Sequence, residues 1–262
     1  MRYVTVTLLL CIILLSSAAP AISHKGGNVE VSIISDNGTV FQTIPHRDIH
    51  RKKTRTIKKY LEARKGENYS IVIRNNMASR VGVVIAVDGR NIISGKKSHL
   101  RHSENMYIVN AYGHAQYQGW RTSQDTVHRF YFTHTEDSYS MRTFSDSSAM
   151  EVIAVAVFRE KDQERFSLFK NRGRQDAAAP KVPSVGEAER SGKDRAGTGF
   201  GNSSYSPVVT VSFKPERNPF RTTLIKYEWH DVLCKKEIIE CSFQTGNRLW
   251  DEYEFAPYPP DF

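Results

Sequence analysis

The strongest constraint on this chain is a pair of apolar runs, residues 81–87 and 152–158. The runs read VGVVIAV and VIAVAVF, so they are rich in β-branched residues and too short for typical helices. Both alternating faces of each run are apolar, which predicts strands covered by protein on either side. Asp88 and Gly89 follow the first run and predict a turn, in which the Asp88 side chain bonds its own backbone.

Further strand-length segments surround these two runs, with glycine at several of the breaks. They are residues 29–34 and 39–44, joined at Asn37-Gly38 as an N-terminal hairpin, then 69–74, 92–95, 107–112, 115–118, 127–133, 208–213 and 222–229. Short strands at about ten-residue spacing are typical of sandwiches and barrels. The expected fold class is all-β with minor α, an antiparallel β-sandwich of jelly-roll type, in which Asp231 caps a short helix after the last strand.

Composition divides the chain into five parts. They are a signal peptide (1–21), an N-terminal hairpin with a basic segment (22–59), a sandwich core (60–160), a flexible linker (161–197), and C-terminal strands, a short helix and an aromatic tail that complete the sandwich (198–262). The linker is expected because residues 170–199 contain no aromatic side chain and many charges.

The N-terminus has the pattern of a secretory signal. Arg2 precedes an uncharged run over residues 4–15, and Ala19-Pro20-Ala21 supplies a cleavage site. A retained membrane anchor is the alternative, but this run is short for a hydrocarbon core of ~30 Å at ~1.5 Å per residue. The expected location is therefore secreted or periplasmic.

Cysteine usage agrees with export. Removal of the signal takes Cys11 away and leaves Cys234 and Cys241, which in an oxidising compartment predict a disulfide. Seven residues of continuous helix would separate these two by ~10 Å, so a bridge requires a turn between them. Two free thiols are the alternative, and a metal site is less favoured for want of a nearby Cys or His pair. No cofactor and no metal are expected.

The net charge of +9 is concentrated in one segment. Residues 47–59 contain Arg47, Arg51, Lys52, Lys53, Arg55, Lys58 and Lys59 against only Asp48. Such a segment can bind an anionic polymer or a phospholipid surface. A solvated loop is the favoured interpretation, with Arg51, Lys52, Lys53 and Arg55 outside the predicted strands. Specific nucleic-acid binding is not expected because no aromatic platform is interleaved, and the oligomeric state stays open.

Several motifs together resemble a set of uncharacterised exported bacterial proteins. They are GVVIAVDGRN (82–91), GWRTS (119–123), FYF (130–132), Ser138-Tyr139, residues 153–159, TGFG (198–201) and LIKYE (224–228). The similarity covers residues 60–241 without the linker. It implies a shared sandwich fold and export, and it implies no reaction.

The sequence contains no strong motif for a catalytic or metal site. A metal site from His134 with Glu136 and Asp137, or a triad from Ser123, His128 and Asp137, is conceivable, but no G-x-S-x-G motif marks a nucleophile. Exposed turn residues explain the first set better, as they explain His99 and His102. The glycines of residues 197–201 are interpreted as a hinge that leads into a strand, since a phosphate loop would lead into a helix.

Trp120 and Arg121 are candidate binding residues. After Gly119 they could form an exposed stacking site for a sugar, a peptide or an aromatic group. The favoured alternative is that Trp120 plugs the edge of the sandwich while Arg121 bridges to Asp125 or Asp137.

Two functions follow as hypotheses. The preferred one is an exported, non-enzymatic sandwich that binds an envelope component, a surface polymer or a protein partner through the basic segment and Trp120-Arg121. The alternative is an exported hydrolase with a carboxylate or His-carboxylate site on its loops.

Overall fold

The two apolar runs lie next to each other at the centre of one sheet. A computed structural model describes residues 29–51, 54–161 and 195–241. In it, strand β5 (Val81–Val87) pairs antiparallel with β11 (Val152–Arg159) along its whole length. Every residue of β5 is buried, as is almost all of β11. The prediction of two strands covered on both faces is confirmed.

The described residues form two sheets of seven strands each. Sheet one contains β1 (Val29–Ser35), β4 (Asn68–Asn75), β8 (His114–Tyr117), β9 (Gly119–Arg121), β10 (Thr126–His134), β12 (Ala196–Thr198) and β13 (Ser203–Tyr205). Sheet two contains β2 (Thr43–Arg51), β3 (Thr54–Ala63), β5, β6 (Arg90–Asn91), β7 (Tyr107–Val109), β11 and β14 (Arg221–Trp229). The helical elements are a 3₁₀ turn (Thr135–Asp137), α1 (Tyr139–Phe144) and α2 (His230–Lys235).

The inner faces of the two sheets share one hydrophobic core. Tyr69 and Phe132 of sheet one stack at 4.4 Å between ring centroids, and Phe132 meets Tyr227 of sheet two at 5.2 Å. Burying each such ring stabilises the fold by ~1.5–3 kcal/mol. The predicted all-β sandwich with minor helix is confirmed.

One neighbouring pair departs from the antiparallel expectation. Sheet two has the order β2-β3-β14-β11-β5-β6, and β3 runs parallel to β14 from Arg55 beside Arg221 to Ala63 beside Trp229. A parallel pair needs a long connection between its strands, and here the whole middle of the chain supplies it. Segments distant in sequence therefore begin side by side at one end of sheet two.

The predicted N-terminal hairpin is wrong beyond its turn. The turn forms, with Gly38 at φ +83° and the amide of Ser35 donating to Thr39. Past the single bridge between Ile34 and Val40, however, the chain crosses to sheet two. The seven alternating residues of β1 pair instead with β4, which offers a partner of matching length.

The basic segment is also not a loop. It forms β2 and β3, which pair antiparallel at the edge of sheet two. Arg51 ends β2 and Arg55 lies in β3, so their predicted place outside the strands is wrong, while Lys52 and Lys53 lie outside the described residues. Charged side chains are a usual feature of edge strands, because they oppose pairing with another chain.

Three smaller predictions are corrected. Residues 208–213 do not form a strand, and 92–95 form a turn in which Oδ1 of Asn91 accepts from the amide of Ile93. Asp231 lies in the first turn of α2, whose N-cap is Trp229. The predicted signal peptide, residues 162–194 of the linker and the tail from 242 lie outside the described residues.

The predicted disulfide is present. Helix α2 ends at Lys235, and the chain turns back so that Cys234 and Cys241 are bonded with their Cα atoms 5.7 Å apart. No helix within the described ranges is long and apolar enough to cross a membrane.

Candidate functional site: a cationic cleft at one end of sheet two

Trp120 does not form an exposed stacking site. Its side chain is 2% exposed, packs edge-on against Phe130, and donates from Nε1 to the carbonyl of Gly199 at 3.0 Å. This is the plug that the sequence interpretation favoured. Arg121 does not bridge to either expected carboxylate. It donates instead to the hydroxyl of Tyr107 at 2.7 Å and to the carbonyl of Ser206 at 2.9 Å.

Arg121 therefore holds loops together. Its guanidinium also donates to the carbonyls of Ser123 and Gln124, so its donors are used by the β9–β10 turn and by the segment after β13. A guanidinium with this many internal acceptors has little left for a ligand.

The triad that was conceivable from the sequence, but not favoured, is not assembled. The Ser123 hydroxyl donates to Asp125, and Nδ1 of His128 bonds the carbonyl of Gly201. Asp137 lies beyond the far end of β10 from His128, a separation of ~20 Å along the strand. Among the described residues, His134 with its two neighbouring carboxylates does not form a potential metal cluster either, nor do His99 and His102.

The glycine segment itself begins within a strand, and the strand predicted to follow it, residues 208–213, does not form. Residues 196–198 form β12 on β10. A Cβ on Gly199 would lie 2.2 Å from the ring of Tyr131, which explains why glycine is needed there.

Asp88 is the central buried polar group. Its carboxylate accepts hydrogen bonds from the amides of Glu151 and Thr198 and from the hydroxyl of Tyr227, at 2.9, 2.7 and 2.5 Å. The Thr198 hydroxyl also bonds Tyr69 at 2.8 Å, so the network joins both sheets. Asp88 does form the predicted turn, with φ +47°, but its side chain bonds distant segments rather than its own backbone.

Burial raises the pKa of Asp88 to about 7 against the effect of its three donors. The group is 1% exposed, so no ligand in solution reaches it. We therefore assign this network to the fold rather than to a binding site.

An open cleft of 780 Å³ lies where three strands of sheet two meet. Its walls come from the end of β2 and start of β3, from the end of β11, and from the segment that leads into β14. The lining residues are His50, Arg51, Thr54, Arg55, Arg159, Lys161, Glu216, Arg217, Asn218 and Phe220. We call this surface the cationic cleft.

Backbone hydrogen bonds fix the walls of the cleft. The amide of Arg55 donates to Phe220, and that of Phe220 donates to Val157, so β3, the entry to β14 and β11 are tied together. The amide of Glu216 likewise donates to Arg159. The backbone segments that carry the cationic side chains are consequently held together by hydrogen bonds.

Four cations of the cleft have no anionic partner among the residues that the structure describes. Arg55 is paired with Asp48 through its Nε at 3.0 Å, and this pairing lowers the pKa of Asp48. For Arg51, Arg159, Lys161 and Arg217, by contrast, no carboxylate of the described residues lies within ion-pair distance. Glu216 is the one acidic residue in the lining.

The charge of the cleft would favour an anion over a cation. Like charges in a concave site focus a positive potential, which raises the local concentration of anions. The Arg159 guanidinium lies 4.1 Å from the ring centroid of Phe220, a contact that orients it without neutralising it. Arginine forks suit carboxylate, phosphate and sulfate oxygens.

Comparison with protein-family models, curated proteins and solved structures finds no match.

The sequence pattern indicates only part of the cleft. Arg51 and Arg55 were candidates because they belong to a visible basic run. Arg159, Lys161 and Arg217 were missed because each lies directly beside an acidic residue in the sequence, so no run of basic residues marks them. Their one available signal was position: Arg159 and Lys161 follow a buried apolar run directly, where a strand end delivers side chains to a sheet edge.

Proposed function

We propose that this protein is exported and binds an anionic polymer of the cell envelope or surface through the cationic cleft, without catalysis. The observation that carries the proposal is the convergence of Arg51, Arg159, Lys161 and Arg217 in one cleft with no carboxylate partner among the described residues. The signal-like N-terminus and the disulfide support the export part of the proposal.

A polymer suits the site better than a membrane. The cations line a recess rather than a flat face, and the exposed apolar side chains Val209, Val211 and Tyr205 are not among the cleft-lining residues. A chain of acidic groups can enter such a recess, whereas the plane of a bilayer meets only its rim.

The test uses residues 22–262, which contain every described residue, with heparin as the probe. Replacement of Arg51, Arg159 and Arg217 by serine should weaken binding at low salt at least tenfold. If the unchanged protein neutralises four charges of heparin when it binds, its affinity for heparin should fall by ~50-fold as salt rises from 50 to 200 mM, because binding releases counterions. The triple variant should show a much shallower salt dependence.

A matched control separates the cleft from net charge. Lys65, Lys96 and Arg101 are exposed cations elsewhere that make no ion pair within the described ranges. Replacing them by serine removes the same charge and should leave most of the binding. Equal losses in the two variants would reject the cleft as the site. Binding to phosphatidylglycerol vesicles but not to heparin would reject the polymer.

A further inference from the structure

A second cluster of ligand-type side chains lies at the opposite end of β14. The potential ligand atoms of His230, Cys234 and Cys241 all lie within 4.8 Å of one another, and no other such group of three occurs in the described part of the chain. His230 and Cys234 are four residues apart on α2, which places them on one face of the helix. The turn after α2 returns Cys241 to that face.

We propose that reduction of the Cys234–Cys241 disulfide converts this cluster into a zinc site with two thiolates and one imidazole as protein ligands. Thiolate sulfur and imidazole nitrogen are the ligands that Zn²⁺ prefers, and three protein ligands leave a fourth position for water. A metal site is not expected from the sequence because no Cys or His pair stands near the two cysteines, but a single histidine, His230, lies four residues before Cys234.

Glu62 supplies an orienting contact for the imidazole. Its Oε1 lies 3.3 Å from Nδ1 of His230, across from β3 to α2. A histidine that donates one ring N–H to a carboxylate presents its other nitrogen to a metal, and such contacts strengthen metal binding by ~10–100-fold. Glu62 is thus a positioning residue that leaves Nε2 of His230 as the ligand.

The chemistry balances with a dithiol as the reductant. The dithiol gives two electrons and two protons, the Sγ–Sγ bond breaks into two thiols, and the dithiol becomes its own disulfide. Binding of Zn²⁺ then displaces the two thiol protons to solvent. The disulfide and the metal exclude each other because both use the same two sulfur atoms.

Both the dithiol reductant and Zn²⁺ can reach the site from solvent. His230 is exposed along 61% of its side chain, and both cysteines are partly exposed. Either state closes the same loop from Cys234 to Cys241, covalently when oxidised and through the metal when reduced. Helix α2 and the turn that follows it would therefore keep their geometry in a reducing environment that contains zinc.

The experiment measures Zn²⁺ and Co²⁺ binding to residues 22–262, which contain no cysteine besides this pair. The disulfide is reduced with a phosphine, which takes oxygen from water to become its oxide while the sulfurs gain the two protons. Reduced protein should bind one Zn²⁺ and show a sulfur-to-cobalt charge-transfer band with Co²⁺. Oxidised protein should show no band and should bind Zn²⁺ at least 100-fold more weakly.

Variants distinguish the ligand from its neighbours. His230→Ala should weaken Zn²⁺ binding by the reduced protein at least tenfold, and Glu62→Gln should weaken it less. His114→Ala, at an exposed histidine of β8 in sheet one, should have no effect. Equal affinity in His230→Ala and unchanged protein would overturn the site, as would failure of the reduced protein to bind stoichiometric metal. Circular dichroism of each reduced protein distinguishes lost ligation from lost folding.

Discussion

Asp88 and the cationic cleft show the two opposite ways in which this protein handles charge. Asp88 is buried with three hydrogen-bond donors around its carboxylate. The cleft keeps four cations at the surface without a carboxylate partner in the described chain. A buried ionisable group is tolerated only when its polar atoms are hydrogen-bonded, whereas an exposed charge remains free to bind.

The comparison teaches where function can lie. Burial raises the pKa of Asp88 from 3.8 to about 7, and strongly perturbed groups often mark functional sites. Here the perturbation of the pKa comes from burial inside the sandwich, away from solvent. The cleft has ordinary side chains in an unusual arrangement, and this arrangement is what a polymer would recognise.

The largest effect should follow from Asp88→Ala. The substitution leaves two buried amides and the Tyr227 hydroxyl without their acceptor, so we expect the free energy of unfolding to fall by ~3–5 kcal/mol. Denaturant unfolding measures this. Asp137→Ala, at an exposed carboxylate, is the control and should cost less than ~0.5 kcal/mol. If Asp88→Ala lowered the free energy of unfolding as little as Asp137→Ala does, the hydrogen-bond network would not be what holds the two sheets together.

A smaller effect concerns pH. The pKa of Asp88 is about 7 when folded and 3.8 as its ordinary value, so between these values the folded protein holds a proton that the unfolded chain releases. The contribution of Asp88 to stability is therefore complete below pH 3.8 and declines as pH rises toward 7, by up to ~1.4 kcal/mol per pH unit.

The measurement is the free energy of unfolding from pH 4 to 8 for unchanged protein and for Asp88→Asn. Subtraction of the two curves removes the histidines and other groups that titrate in the same range. We expect the difference to slope between about pH 4 and pH 7. A flat difference would mean that the three donors keep the carboxylate ionised in the folded protein, which would reverse this part of the comparison.

The smallest effect should be on stability when the cleft is neutralised. Serine at Arg51, Arg159 and Arg217 relieves repulsion but loses the contact of Arg159 with Phe220, so the free energy of unfolding should change by less than ~1 kcal/mol. Denaturant unfolding beside the heparin measurement checks this. A loss of several kcal/mol would make the cleft part of the fold, like Asp88.

Much of the fold could be predicted from local pattern. β5, β11 and β14 were predicted nearly at their observed bounds, because alternation and β-branched content are local properties. The disulfide was predicted from the pair of cysteines that remains after removal of the signal, with a turn required between them. Residues 208–213 show the limit of such patterns, since an apolar run becomes a strand only where a partner strand is available.

The candidate site was predicted only in part. The charge of the basic segment was visible, but its interpretation as a loop failed because pairing between β2 and β3 overrode its high charge. For Trp120 the sequence left two interpretations open, an exposed stacking site and a buried plug, and the burial of its side chain decides for the plug.

The sequence by itself determined the β-rich class, the central buried strands, the turn at Asp88 and the cysteine pair, since each depends on residues close together in the chain. Tertiary structure decided which segments meet. The parallel pairing of β3 with β14 brings Arg55 and the segment before Arg221 to the end of β11, and so creates the cleft. The tertiary structure also places the Asp88 carboxylate within hydrogen-bond distance of Thr198 and Tyr227, which lie 110 and 139 residues away in the sequence. Local patterns do not contain such distances, because long-range pairing depends on the packing of the whole sandwich.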